Sequence, residues 1–146
     1  MTELKLDDLT ADKIHAYIEQ EEQQKKAAAA KAAEQVREER EQLRKKFEAE
    51  QVPADALQHV FGIVRKAVEH GEKEVMVLHF PSAFLPDRGR HIDIGSKDWP
   101  EHLGGFAARA YSFYEKELRP RGFKLSASII DYPGGKPGDV GFFLSW

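Results

Sequence analysis

Between Thr10 and Glu50 the chain contains neither glycine nor proline. This run constrains the fold more than any other feature. Its main residues (Ala, Glu, Gln, Lys and Arg) are the strongest helix formers, and nothing in it interrupts an i→i−4 ladder. It predicts one continuous helix, with Thr10 as N-cap and Asp12 in a first turn that favours negative charge. At 1.5 Å per residue such a helix extends roughly 60 Å. Opposite charges recur four apart in the favourable order at Glu21–Lys25, Glu22–Lys26 and Glu41–Lys45, and each pair contributes about 0.2–0.5 kcal/mol.

The helix has little to bury. Ile14, Tyr17 and Ile18 make one small apolar patch, Ala27 to Ala30 with Ala32 and Ala33 a weaker one, and Val36, Leu43 and Phe47 a third. A heptad through Val36 and Leu43 puts Glu39 or Arg40 at the intervening position, which argues against a long dimeric coiled coil. The expectation is a largely solvated helix docked through Phe47. Pairing with a partner, as a coiled coil or an antiparallel helical pair, is the second reading. A basic arm for nucleic acid is disfavoured, because residues 1–51 carry thirteen Asp/Glu against ten Lys/Arg.

Val52-Pro53 marks a boundary. The residue before proline disfavours helix, and Pro53 suits the first turn of a new one. Residues 1–51 therefore read as a charged helical extension and residues 52–146 as a small α/β domain. That domain has twelve acidic and twelve basic residues, a balance that gives no push toward anionic partners. Leu57, Val60, Phe61, Val64, Ala67 and Val68 recur at helical spacing, and Gly71 suits the C′ position after them. Glu74 to Phe80 is short and apolar on both faces, like a strand inside a sheet, with His79 in or beside the core. Residues 82–97 read as a long irregular connection in which Arg90 to Ile94 forms a short edge strand. A helix is predicted from Asp98, a capping residue with Pro100 and Glu101 in the first turn, to about Leu118. Its Gly104-Gly105 pair permits close packing against a strand or the loop. Phe123–Tyr132 and Val140–Trp146 alternate as two strands of a hairpin around the Pro133–Asp139 turn. A right-handed crossover makes the first and second strands parallel. The predicted class is α+β, two-layer and α/β-like, in the order α-β-α-β-β. It has a mixed three- or four-stranded sheet and two helices on one face.

The chain has no cysteine, so disulfides, thiolate catalysis and cysteine-ligated zinc are excluded. The acidic N-terminus lacks the apolar run of a signal peptide, and no stretch approaches the about 18 apolar residues of a membrane helix. A cytoplasmic location and no membrane association are the expectations.

Three groups of residues carry candidate chemistry. His91 and Asp93, two apart on a strand, would share a face, and with His79 they would make a three-ligand metal or proton-transfer set. Gly134-Gly-Lys-Pro-Gly138 has the glycines of an anion-binding loop but neither the spacing nor the following helix of a P-loop. Arg88, Arg90, Arg119, Arg121, Lys124 and Lys136 are scattered cations. If they converged, they would contact RNA or another phosphorylated ligand. The α-β-α-β-β order resembles small nucleic-acid-binding folds that have an additional first strand. Phe84, Leu85 and Trp99, with Phe47, are interface candidates. No catalytic constellation emerges and no cofactor is expected. The leading expectation is a non-enzymatic protein-interaction or assembly module, partnered with itself or another protein through the N-terminal helix. The alternatives are an RNA-binding module using the arginine-rich loops, and a small enzyme or metal protein in the 79–93 region.

Overall fold

The computed structural model describes residues 9–146. The acidic stretch read above as no signal peptide falls mostly in residues 1–8, outside the described residues. Contacts divide the chain into two compact units that meet between Leu43 and Arg44. In the first lies most of α1 (Ala11–Ala49), opened by the expected cap: the Lys13 N–H donates to Thr10 Oγ1 over 3.3 Å. Phe47 is the one buried residue of α1.

The second unit, residues 44–146, holds α2 (Ala56–Glu69), β1 (Glu74–Pro81), a short helical turn α3 (Arg90–Asp93), α4 (Gly105–Phe113), β2 (Lys124–Ile129) and β3 (Asp139–Ser145). Residues 44–51 pack with the α/β elements because the Phe47 ring belongs to their core. It lies 5.2 Å from Phe80 and 5.3 Å from Phe84, centroid to centroid. The end of α1 is also held by Arg109 of α4, whose guanidinium donates to the Glu50 and Glu48 carbonyls over 2.8 and 2.6 Å. Those carbonyls are the ones a helix C-terminus leaves without partners. Helix α2 ends as expected: Gly71 is left-handed at φ 75°, and the Glu72 N–H returns to the Ala67 carbonyl over 2.9 Å.

The sheet has three strands in the order β1-β3-β2, and both ladders are antiparallel. β1 and β2 do run in the same direction, as the crossover requires, but β3 lies between them, so no neighbouring pair is parallel. The predicted mixed sheet is corrected accordingly. β3 is also the buried strand, with Val140, Phe142 and Leu144 nearly inaccessible. β1 is an edge rather than an interior strand. Its apolar character on both faces arises from a bulge. The register slips between Met76 and Leu78, so Val77 and Leu78 both reach the core while Met76 stays 40% exposed. His79 points away from the core and is exposed.

Helices α2 and α4 pack on the face formed by Phe142 and Leu144, as expected. The helix expected from Asp98 is broken. Trp99–His102 is a 3-10 turn, Asp98 makes no side-chain cap bond, and α4 begins only at Gly105. Gly104 and Gly105 cause the break. A Cβ on Gly105, at φ +56°, would sit 2.9 Å from the Phe47 ring, and one on Gly104 would sit 3.1 Å from Pro86. The glycines are there for close approach, and an uninterrupted helix would occupy the same space. α4 continues through a π turn, Tyr114–Leu118, and a 3-10 turn ending at Gly122. Among the described residues no helix is long and apolar enough to cross a membrane.

Candidate functional site

The segment between β1 and α4 is ordered by one carboxylate. Asp87 Oδ1 accepts the Gly89 N–H over 2.9 Å and Oδ2 the His91 N–H over 3.0 Å. These bonds, with Gly89 at φ 78° and Ile92 buried, wind residues 90–93 into the α3 turn. The edge strand expected at Arg90–Ile94 is therefore absent, and with it the shared face of His91 and Asp93. The structure separates the three members of the expected metal set. His79 sits 3.5 Å from Asp139, Asp93 accepts the Tyr132 hydroxyl over 2.6 Å, and His91 turns to Asp87.

His91 Nδ1 lies 2.8 Å from Asp87 Oδ2. A carboxylate only accepts, so Nδ1 carries the proton and Nε2 is left for another partner. One face of the ring is covered by His102. The two imidazoles are stacked with centroids 3.4 Å apart and planes 7° apart. His102 Nε2 in turn lies 3.5 Å from Asp98 Oδ2. The result is an Asp87–His91–His102–Asp98 row built from the α3 turn and the Trp99–His102 turn. One donor atom from each of Asp87, His91 and His102 lies within 4.8 Å of the others. Burial raises the Asp87 pKa, but the three bonds from His91 and Gly89 outweigh it and hold the carboxyl below its ordinary value. The Ser96 hydroxyl, followed by the His102 ring, holds the Asp98 carboxyl down in the same way. Asp87 and His102 were not singled out from the sequence, although D-x-x-x-H occurs three times, at 55–59, 87–91 and 98–102.

A second feature is a cleft of about 400 Å³ between α2, α4 and the sheet, lined by apolar side chains such as Pro53, Val60, Leu78, Phe106, Phe113 and Leu118. Asp55 and His59 supply the ionisable groups in its wall.

The expected cations differ in their surroundings. Arg119 donates to the Tyr111 hydroxyl over 3.2 Å and lies over the Tyr114 ring, and Arg121 donates to the Glu117 carbonyl over 2.9 Å and lies over Phe61. Both are spent on the end of the α4 segment. Arg88, at φ 57°, and Arg90 are exposed in the loop around α3, Lys124 is exposed on β2 and Lys136 at the hairpin tip. The hairpin loop is ordered rather than a free anion cradle: Asp131 Oδ1 accepts the Asp139 N–H over 2.7 Å, and Ser82 Oγ donates to the Pro137 carbonyl over 3.1 Å. The interface candidates Phe84, Leu85 and Phe47 are 7%, 3% and 6% exposed and belong to the core. Trp99 packs edge-on against Tyr111 and tilted against Phe142. Phe47, Phe84 and Leu85 are thus core residues, and Trp99 is partly buried against that core. Comparison of the chain with protein-family models, with curated proteins and with solved structures finds no match.

Proposed function

We propose that this chain is a non-enzymatic interaction and assembly protein, and that α1 pairs with α1 of a second copy in antiparallel register. The observation that carries this reading is the exposure of the helix's apolar side chains. Ile18, Val36 and Leu43 are 47%, 61% and 58% exposed, an arrangement that costs free energy unless a partner covers them. Ala29, Ala33, Val36, Arg40 and Leu43 follow one another at alternating spacings of four and three, the seam of a helical pair. Arg40 on that seam lowers stability while favouring one register.

Charge supports the choice of a second copy and of its direction. The helix carries an acidic block at Glu19, Glu21 and Glu22, and a basic one at Lys25, Lys26 and Lys31. A mainly acidic stretch from Glu34 to Glu41 follows, then a basic block at Arg44, Lys45 and Lys46. Antiparallel pairing about a centre near Ala32 and Ala33 sets each acidic block against a basic one. It also puts the smallest side chains where the helices approach most closely. Parallel pairing sets like against like, which is destabilising.

Sedimentation equilibrium of the full chain tests the proposal. A dimer that weakens as salt rises is expected, because the blocks are solvent-exposed. The pair Lys45→Glu and Lys46→Glu should give a monomer, and adding Glu21→Lys and Glu22→Lys should restore the dimer. A wild-type chain that remains monomeric at low salt and high concentration, or a failure of the charge swap to rescue, overturns it.

A further inference from the structure

We infer that Asp87, His91 and His102 form a binding site for a divalent transition cation of the zinc class, with Asp98 steadying His102. The donor set is two imidazoles and one carboxylate, a combination that suits such ions and leaves coordination positions for water or an exogenous ligand. The donor atoms already lie within 4.8 Å of one another. Asp87 Oδ2 and His91 Nδ1, 2.8 Å apart, are spaced as two ligands of one ion, which on binding takes the place of the proton they share.

Stacked rings direct their in-plane lone pairs side by side rather than at one point, so binding requires the rings to tilt apart. His102 closes its 3-10 turn and is followed by the extended Leu103 and Gly104, which places the pivot on its side.

The test is a zinc titration of the full chain, followed by calorimetry and by long-range ¹H–¹⁵N spectra of the imidazoles. One equivalent should bind and shift the His91 and His102 ring resonances, while those of His15, His59, His70 and His79 stay in place. Magnesium, which suits oxygen ligands, should leave all of them unmoved. His102→Gln and Asp87→Asn should each weaken zinc about tenfold or more, with His79→Gln unchanged. Circular dichroism shows whether each variant is folded, and if one is not, the wild-type imidazole spectrum decides. Absence of His91 and His102 shifts on adding zinc, or equal affinity in folded His102→Gln, overturns the assignment.

Discussion

Truncating Phe47 should unfold the α/β unit far more readily than its position in a charged helical run suggests. The ring is 6% exposed and packs at 5.2, 5.3 and 6.4 Å from Phe80, Phe84 and Phe106. Replacing a buried phenylalanine by alanine costs about 3–5 kcal/mol, the spread depending on how far the surroundings collapse. Here collapse is limited. The neighbours are themselves rings held by β1 and by α4, and each lost aromatic pair removes about 0.5–1.5 kcal/mol beyond its area. We therefore expect about 4 kcal/mol for Phe47→Ala. In a unit of this size that lowers Tm by more than about 10 °C. Urea denaturation followed by Trp99 fluorescence measures it, with Val68→Ala as control. Val68 is 53% exposed on α2, so its truncation should change stability by no more than about 0.5 kcal/mol. A Phe47→Ala effect below about 1 kcal/mol would show that residues 44–51 are not part of the cooperative unit.

Gly105→Ala should cost about 2–4 kcal/mol in the wild type, from left-handed strain and the clash with Phe47. In the Phe47→Ala background it should cost less, about 1–2 kcal/mol, because the ring clash is gone while the left-handed strain and the 3.1 Å approach to the residue-47 carbonyl remain. A double-mutant cycle from urea melts reads the difference. Arg109→Lys should recover little of the stability lost in Arg109→Ala, about 1 kcal/mol, since one ammonium cannot reproduce the fork onto the Glu48 and Glu50 carbonyls. Equal melting curves for wild type and Arg109→Lys would refute this. Asp87→Asn should destabilise the unit by about 2 kcal/mol at neutral pH. The folded-state pKa of Asp87 lies below its ordinary 3.8. Its contribution is thus fully present above that value and is lost as pH falls through the folded-state pKa. The gap between wild type and variant should close on acidification, and a pH-independent gap in denaturant midpoints refutes the assignment.

The elements governed by local periodicity were legible in the sequence: α1 with its Thr10 cap, α2 with Gly71, and the hairpin strands. The misread elements turn on contacts between distant residues. The interruption before α4 depends on Phe47 and Pro86 requiring the surfaces of Gly105 and Gly104, and no window around Asp98 contains that information. β1 looked interior because a bulge turns two consecutive residues, Val77 and Leu78, inward. The α3 turn was read as a strand because its winding rests on Asp87 capturing two backbone N–H groups. The same oversight hid the histidine row: three D-x-x-x-H pairs were visible, but the stacking of His91 on His102 needed the turns of two of them in place.

The strand order also bears on how the unit is made. β3 is the strand that pairs with both others, and it follows them in the chain. Until Asp139–Ser145 has left the ribosome, neither ladder exists. β1 and β2 must wait as unpaired extended segments, with α2 and α4 lacking the surface on which they pack. Assembly of this sheet consequently waits for the last of its three strands. It depends on closing the long loop from β1 to β3, a step that is slow for topologies of this kind. During that interval the segments Val75–Phe80 and Leu125–Ile130 are the parts of the nascent chain most in need of shielding from one another's copies.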